Sequence, residues 1–237
     1  MGVQLNPDHS PQWLRGLTDV LGRPGSAKLV HKMQGHMRFA SRKPKHAAVL
    51  MCFTGTADAL TLPEDAQLLI THRTPTLRNH SGQMAFPGGR VDPGDTGPVG
   101  AALREAREET GLDPAGVTPL AVVESIAVGP SGNPVNPVLA YAPEPGPVWS
   151  ASPAENDDVF FVPLSHFINP DNRFRVSRLG WSGPAFGLDG YVVWGFTASL
   201  ISVMIREAGW EEPWEHKDAV DLRQALGRSR NGEGHGF

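Results

Sequence analysis

The stretch GGRVDPGDTGPVGAALREAREETGL, residues 88–112, carries the most structural information in this chain. A helix is predicted over Pro98–Thr110, because proline is tolerated in a first helical turn and Gly111 is a natural stop. At about 100° per residue, Val99, Ala102, Leu103, Ala106 and Thr110 form one stripe suited to packing on a sheet. Glu105, Glu108 and Glu109 fall in an arc of roughly 100° beside it, with Arg104 and Arg107 on the other flank. Like charges three and four residues apart repel. A divalent cation reverses that penalty, since hard carboxylate oxygens gathered on a rigid face suit Mg2+ or Mn2+. The alternative is a solvated face whose glutamates pair with Arg104 and Arg107. The preceding residues favour the cation. Gly88 and Gly89 end a loop, and Asp92, Gly94 and Asp95 form a turn into the helix, a place where backbone groups approach a phosphate or metal closely.

Outward from this helix, Ala47–Phe53 reads as a buried strand with Gln67–Thr71 as its partner. Thr74–Pro87 reads as loop. Strands are expected near Val117–Val128, Val135–Tyr141 and Val159–Val162, a loop-rich stretch over Pro170–Gly190, and an amphipathic helix over Val192–Ala208. Strands, a central helix, more strands and a final helix predict an α/β sandwich. The expected organisation is a helical, basic N-terminal extension over 1–45, a domain over 46–227, and a disordered tail over 228–237. Lys28, His31, Lys32, His36, Arg38, Arg42, Lys43 and Lys45 make the extension basic. They read as a solvated face or as a rim that attracts phosphates.

Composition narrows the function. The 237 residues are 40% hydrophobic, enough for a sizeable core, and the formal net charge is −4, which offers no global basic field to nucleic acid. No run of about 18 apolar residues is present to span a membrane. The single cysteine, Cys52, rules out an internal disulfide, lies in an apolar run and fits a reducing cytoplasmic setting. An apolar face over Val192–Ile205 offers a homodimer contact.

The stretch from Gly89 to Leu112 resembles the signature of the Nudix hydrolases: G, five residues, E, seven residues, then R-E-U-x-E-E-x-G-U, with U a bulky aliphatic. Gly89 opens it, and Arg104-Glu105-Ala106-Arg107-Glu108-Glu109-Thr110-Gly111-Leu112 closes it. Asp95 stands where the family has its first glutamate, the next spacer is one residue longer, and Ala106 is small. A second motif lies upstream: Leu69-Ile70-Thr71-His72-Arg73-Thr74, then Arg78, Gly82 and Phe86-Pro87-Gly88-Gly89. Its spacing is similar to that of the coenzyme A diphosphatase branch.

The resemblance implies a Nudix-type α/β/α sandwich around a mixed β-sheet. It implies Mg2+- or Mn2+-dependent cleavage of coenzyme A, or its acylated or oxidised forms, to a 4′-phosphopantetheine form and adenosine 3′,5′-bisphosphate. The alternatives are another diphosphate, such as ADP-ribose or a dinucleotide, and a non-catalytic nucleotide-binding module. By the same resemblance Glu105, Glu109 and Glu108 are metal ligands, with a backbone carbonyl near Gly89, and Arg104 orients the glutamates. Either Glu109 or Glu155 is the general base. Arg73, Arg78, Gly88 and Gly89 contact substrate. His80 reads as a bystander, and Phe86 and Trp194 as packing residues.

Overall fold

A computed structural model describes residues 4–34, 45–128, 132–214 and 218–233. His36, Arg38, Arg42 and Lys43 of the basic extension lie outside the described residues. Two helices, α1 (Gln12–Leu21) and α2 (Ala27–Gln34), precede strands β1 (Ala47–Thr54), β2 (Gln67–Arg73), β3 (Met84–Ala85) and β4 (Gly88–Arg90). The glutamate helix is α3 (Gly97–Thr110), and its C-cap Gly111 is left-handed at φ 70°. Then come β5 (Thr118–Val122), β6 (Ile126–Val128), β7 (Asn133–Tyr141), β8 (Asn156–Pro163) and a short α4 (Leu164–Ile168). The chain continues through β9 (Arg173–Arg178), β10 (Trp181–Leu188), β11 (Tyr191–Val193), α5 (Gly195–Glu207), β12 (Val220–Asp221) and α6 (Leu222–Gly227).

The larger sheet runs β3-β2-β1-β7-β5, with β4 on β1, β6 on β7 and β8 on β2. It is mixed: β1 and β7 are parallel from Ala47↔Val135 to Phe53↔Tyr141, while β1 and β2 are antiparallel. The period of two along β1 builds the layers. Ala48, Leu50 and Cys52 face α3 through Ala102, Leu103 and Ala106. Met51 and Phe53 face the opposite way, into a core shared with Trp13, Leu14 and Leu17 of α1 and with α5. One helix below the sheet and three above make the expected α/β/α sandwich. Ala106 is fully buried against the sheet, so the small side chain at this position lets α3 lie close to β1.

Four sequence expectations change. Pro170–Gly190 is not loop-rich: β9 and β10 form a hairpin, which with β11 and β12 makes a second sheet. Its turn places Leu179 and Gly180 at φ 48° and 79°. A leucine rarely adopts that conformation, so the turn left no sequence mark. Val192 and Val193 belong to β11, and α5 starts at Gly195. This helix is buried all round from Thr197 to Ile205 rather than amphipathic, wedged among α1, α2 and β10. The apolar face offered for a homodimer is therefore covered by the chain itself. Finally, the segment 228–233 of the expected disordered tail docks on the fold through Asn231, which is fully buried and hydrogen-bonded to Val192 and Gly82, and residues 234–237 lie outside the described residues. No described helix is long and apolar enough to cross a membrane.

Candidate active site

The site forms where α3 passes under the β4 end of the sheet. Glu109 is nearly fully buried. The backbone N–H of Gly88 donates to its Oε2 at 3.1 Å, and Arg73 Nη1 stands 3.9 Å from its Oε1. Burial pushes the Glu109 carboxyl up to about 7, against the opposing pull of Arg73 and Gly88. Glu105 sits one turn earlier on the same face. Its carboxylate lies directly over Gly89, and a Cβ at that position would overlap it. Gly89 is thus glycine because a carboxylate occupies the space of its side chain. Half-burial raises the Glu105 pKa, Arg104 opposes the rise, and repulsion from Glu108 and Glu155 adds to it.

Arg104 ties the helix to the turn before it. Its Nε and Nη2 grip Asp95 Oδ1 and Oδ2 at 2.9 and 3.0 Å. Its Nη2 also donates to the Arg90 carbonyl at 3.0 Å, and its Nη1 pairs with Glu105 and Glu108 at 3.0 and 3.1 Å. The bidentate grip holds Asp95 below the usual carboxylate range and raises the Arg104 pKa. The aspartate that departs from the signature therefore serves as the anchor of Arg104. Replacing Arg104 with alanine should strip that anchor and leave Asp95 and Glu105 unpaired. The expected loss is about 2 kcal/mol, or roughly 4–8 °C in Tm. Arg104→Lys should recover only part of it, because an ammonium lacks the planar fork. A calorimetric melt equal to wild type would contradict this.

Glu108 points to Arg104 rather than inward, and its side chain is 58% exposed. Among the described residues no three acidic, histidine or cysteine side chains converge to hold a metal. The pair that does fit a hard cation is Glu105 and Glu109. These are two desolvated carboxylates that repel each other, and a divalent ion would relieve both penalties. Glu155 is exposed in the loop before β8, near enough to repel Glu105. Arg78 is exposed in the loop 74–82 and has no ion pair among the described residues. His80 bonds to Gln83 and stays at the loop surface. Phe86 packs in the core, and Trp194 donates to Glu233 at 2.7 Å beside Trp181. The Cys52 thiol is pushed up to about 12 by burial, which removes it as a nucleophile.

Two residues, Asn156 and His72, escaped the sequence reading, and the structure shows how the expected Arg73 reaches the site. A register shift between His72 and Arg73 sets Arg73 opposite Asn156, and its side chain reaches Glu109. Asn156 is fully buried beside Glu109 and helps to lower its pKa, yet neither amide atom makes a hydrogen bond of ordinary geometry. His72, also buried, bonds to Asp157 and to the carbonyl of Asn231. In the sequence Asn156 and His72 sit beside apolar strand runs, with nothing in their residue type or spacing to mark a role at the site.

Helix-borne carboxylates thus lie under a glycine-rich turn, on one face of an α/β/α sandwich. The NUDIX domain model matches residues 53–178. A probable nudix hydrolase of Schizosaccharomyces pombe is 35% identical over 166 residues, 68% of this chain and 55% of that protein. The chain thus spans about half the length of that relative. An uncharacterized Nudix hydrolase, NudL, of Escherichia coli is 37% identical over 146 residues, 60% of this chain and 75% of that one. Among solved structures, an Ap4A hydrolase binary complex from C. elegans has 23% identity and a TM-score of 0.39, covering 52% of this chain and 83% of that one. The NUDIX domain of Shewanella oneidensis NrtR, complexed with ADP ribose, has 20% identity and a TM-score of 0.40, covering 52% and 75%. The chain belongs to the Nudix family. Its members act on nucleoside diphosphate derivatives and generally use divalent metal ions, typically Mg2+ or Mn2+.

Proposed function

We propose that this chain hydrolyses the diphosphate bond of coenzyme A and its derivatives, releasing a 4′-phosphopantetheine form and adenosine 3′,5′-bisphosphate. The observation that carries this reading is the junction of the two motifs. The upstream motif, from Leu69 to Gly89, folds against the glutamate helix so that Arg73 and the Gly88 N–H both meet Glu109.

Glu105 and Glu109 would hold the divalent ion, with the Gly89 carbonyl beside them and Glu108 recruited from Arg104. Bound there, the ion supplies charge neutralisation of the diphosphate and a lowered pKa for the attacking water. Glu155 is the better base: it is exposed and close to Glu105, whereas Glu109 is boxed in by Gly88 and Arg73. It takes a proton from water as the water oxygen attacks phosphorus. The bridging P–O bond breaks, and its electron pair leaves on the departing phosphate. Arg104 keeps Glu105 aligned. Arg73, already beside Glu109, faces the diphosphate, and Arg78, without an ion pair among the described residues, reads the ribose 3′-phosphate as a bidentate donor.

Product analysis by chromatography after incubation with Mg2+ tests the reading. Coenzyme A should yield adenosine 3′,5′-bisphosphate. Turnover of ADP-ribose with coenzyme A left intact would overturn it. Arg78→Ala should raise KM for coenzyme A about tenfold while leaving dephospho-coenzyme A almost unchanged. Equal losses on both substrates would remove 3′-phosphate reading from Arg78.

A further inference from the structure

The last described residues, Ser229–Glu233, do more than cover the surface. The Asn231 Oδ1 accepts from the Val192 N–H at 2.7 Å. Its Nδ2 donates to the carbonyls of Gly82 and Val192 at 2.9 and 3.1 Å and to Glu233 Oε1 at 3.0 Å. Its own carbonyl accepts from His72 Nε2 at 3.0 Å. One buried asparagine thereby joins β11, the end of β2 and the far end of the loop 74–82. Neighbouring residues add to the grip. Arg230 lies over the Tyr191 ring at 4.7 Å and its N–H donates to the Gly190 carbonyl at 2.8 Å. Gly232 packs on Pro75 inside the same loop, and Glu233 accepts from Trp194.

The loop held in this way is the one that carries Arg78. It is closed at its base by two backbone bonds, Gly82 N–H to the Arg73 carbonyl at 2.9 Å and Arg73 N–H to the Gln83 carbonyl at 3.0 Å. Contact therefore runs without a gap from Asn231 to Gly82, from Gly82 to Arg73, and from Arg73 to Glu109. Gly82 has φ 69°, and a Cβ there would overlap the Asn231 carbonyl. The glycine of the upstream motif is thus explained by the C-terminal segment docked on it, about 150 residues later in the chain.

We propose that Asn231 is a positioning residue: through it the C-terminal segment clamps the loop 74–82, holding Arg73 beside Glu109 and fixing the loop that carries Arg78. The phosphate-reading task of these arginines rests on the function proposed above; the clamp rests on the contacts alone. Removing the Asn231 amide takes away the side-chain partner of the Gly82 carbonyl and of the Val192 N–H, while His72 keeps Asp157, so the loop opens more often while the sheet beneath stays folded.

Limited trypsin digestion of Asn231→Ala, followed by mass spectrometry of the Arg78–Asn79 cut, tests the clamp without any substrate. The cut should speed up about tenfold or more relative to wild type, with the far-ultraviolet circular dichroism unchanged. In the same variant KM for coenzyme A should rise about tenfold with kcat within about threefold, since ground-state phosphate contacts are loosened and the metal site is not. A folded Asn231→Ala protein with wild-type cleavage at Arg78 and wild-type KM would overturn the proposal. Should that variant fail to fold, hydrogen exchange on the wild-type protein decides. The amides of Arg73, Gly82, Val192 and Asn231 should open with one common free energy, and continued protection of Arg73 and Gly82 while Val192 and Asn231 exchange would overturn it. If coenzyme A is not turned over at all, the digestion still reports on the clamp, and the failure falls on the substrate.

Discussion

Glu109→Gln is expected to lower kcat about a thousandfold and, in metal-free buffer at pH 8, to raise the melting temperature. Both effects have one origin. Glu109 is buried between α3 and the sheet, beside Arg73, Asn156 and the Gly88 N–H, with its carboxyl pushed up to about 7 by that burial. Unfolded, a glutamate titrates near 4.3. The folded state therefore binds the extra proton between these values. Stability is fully present below the unfolded pKa and is lost as the pH rises through about 7. The difference is on the order of 3 kcal/mol, or about 6–12 °C for a domain of this size. Glu233 adds in the same direction: burial pushes its carboxyl up to about 7 as well. Wild-type protein without metal should thus melt at lower temperature at pH 8 than at pH 5. Glutamine keeps an oxygen for the Gly88 N–H and removes the buried charge, so the variant should lose much of that pH dependence. A Glu109→Gln protein that melts lower than wild type at pH 8, or that retains normal turnover, would contradict the assignment.

Removing divalent ions should have an effect as large. Treatment with EDTA is expected to reduce hydrolysis to background, and Mg2+ or Mn2+ should restore it. The physical basis is the unrelieved repulsion at the site. Glu105 and Glu109 are held one helical turn apart, both desolvated, with Glu155 adding negative charge and Arg73 and Arg104 opposing it. An ion bound by the folded state alone at a hundred times its Kd stabilises by about 2.7 kcal/mol. Saturating Mn2+ at pH 8 should therefore raise Tm by about 5–10 °C in the wild type. In Glu105→Gln/Glu109→Gln the rise should vanish. Turnover that survives exhaustive chelation, or a thermal shift that persists in the double variant, would rule out this pair as ligands.

The sequence by itself determined the layer below the sheet and the position of the glutamates on it. The glutamates of α3, its cap at Gly111 and the alternation along β1 depend on contacts close along the chain, so helical period and strand period announce them. The order of the strands did not follow from those periods, nor did the hairpin β9–β10, whose turn uses a leucine at positive φ. The burial of α5 on every side was also hidden, because a helix enclosed by its own chain and one offering a face to a partner share the same apolar composition. At the site, tertiary structure alone made Asp95 the anchor of Arg104, turned Glu108 outward, and placed Asn156 against Glu109. It also seated Asn231 on Gly82, across about 150 residues of chain. Such contacts are set by where the backbone returns, and a polar side chain that meets its partner only after folding carries no periodic mark of it.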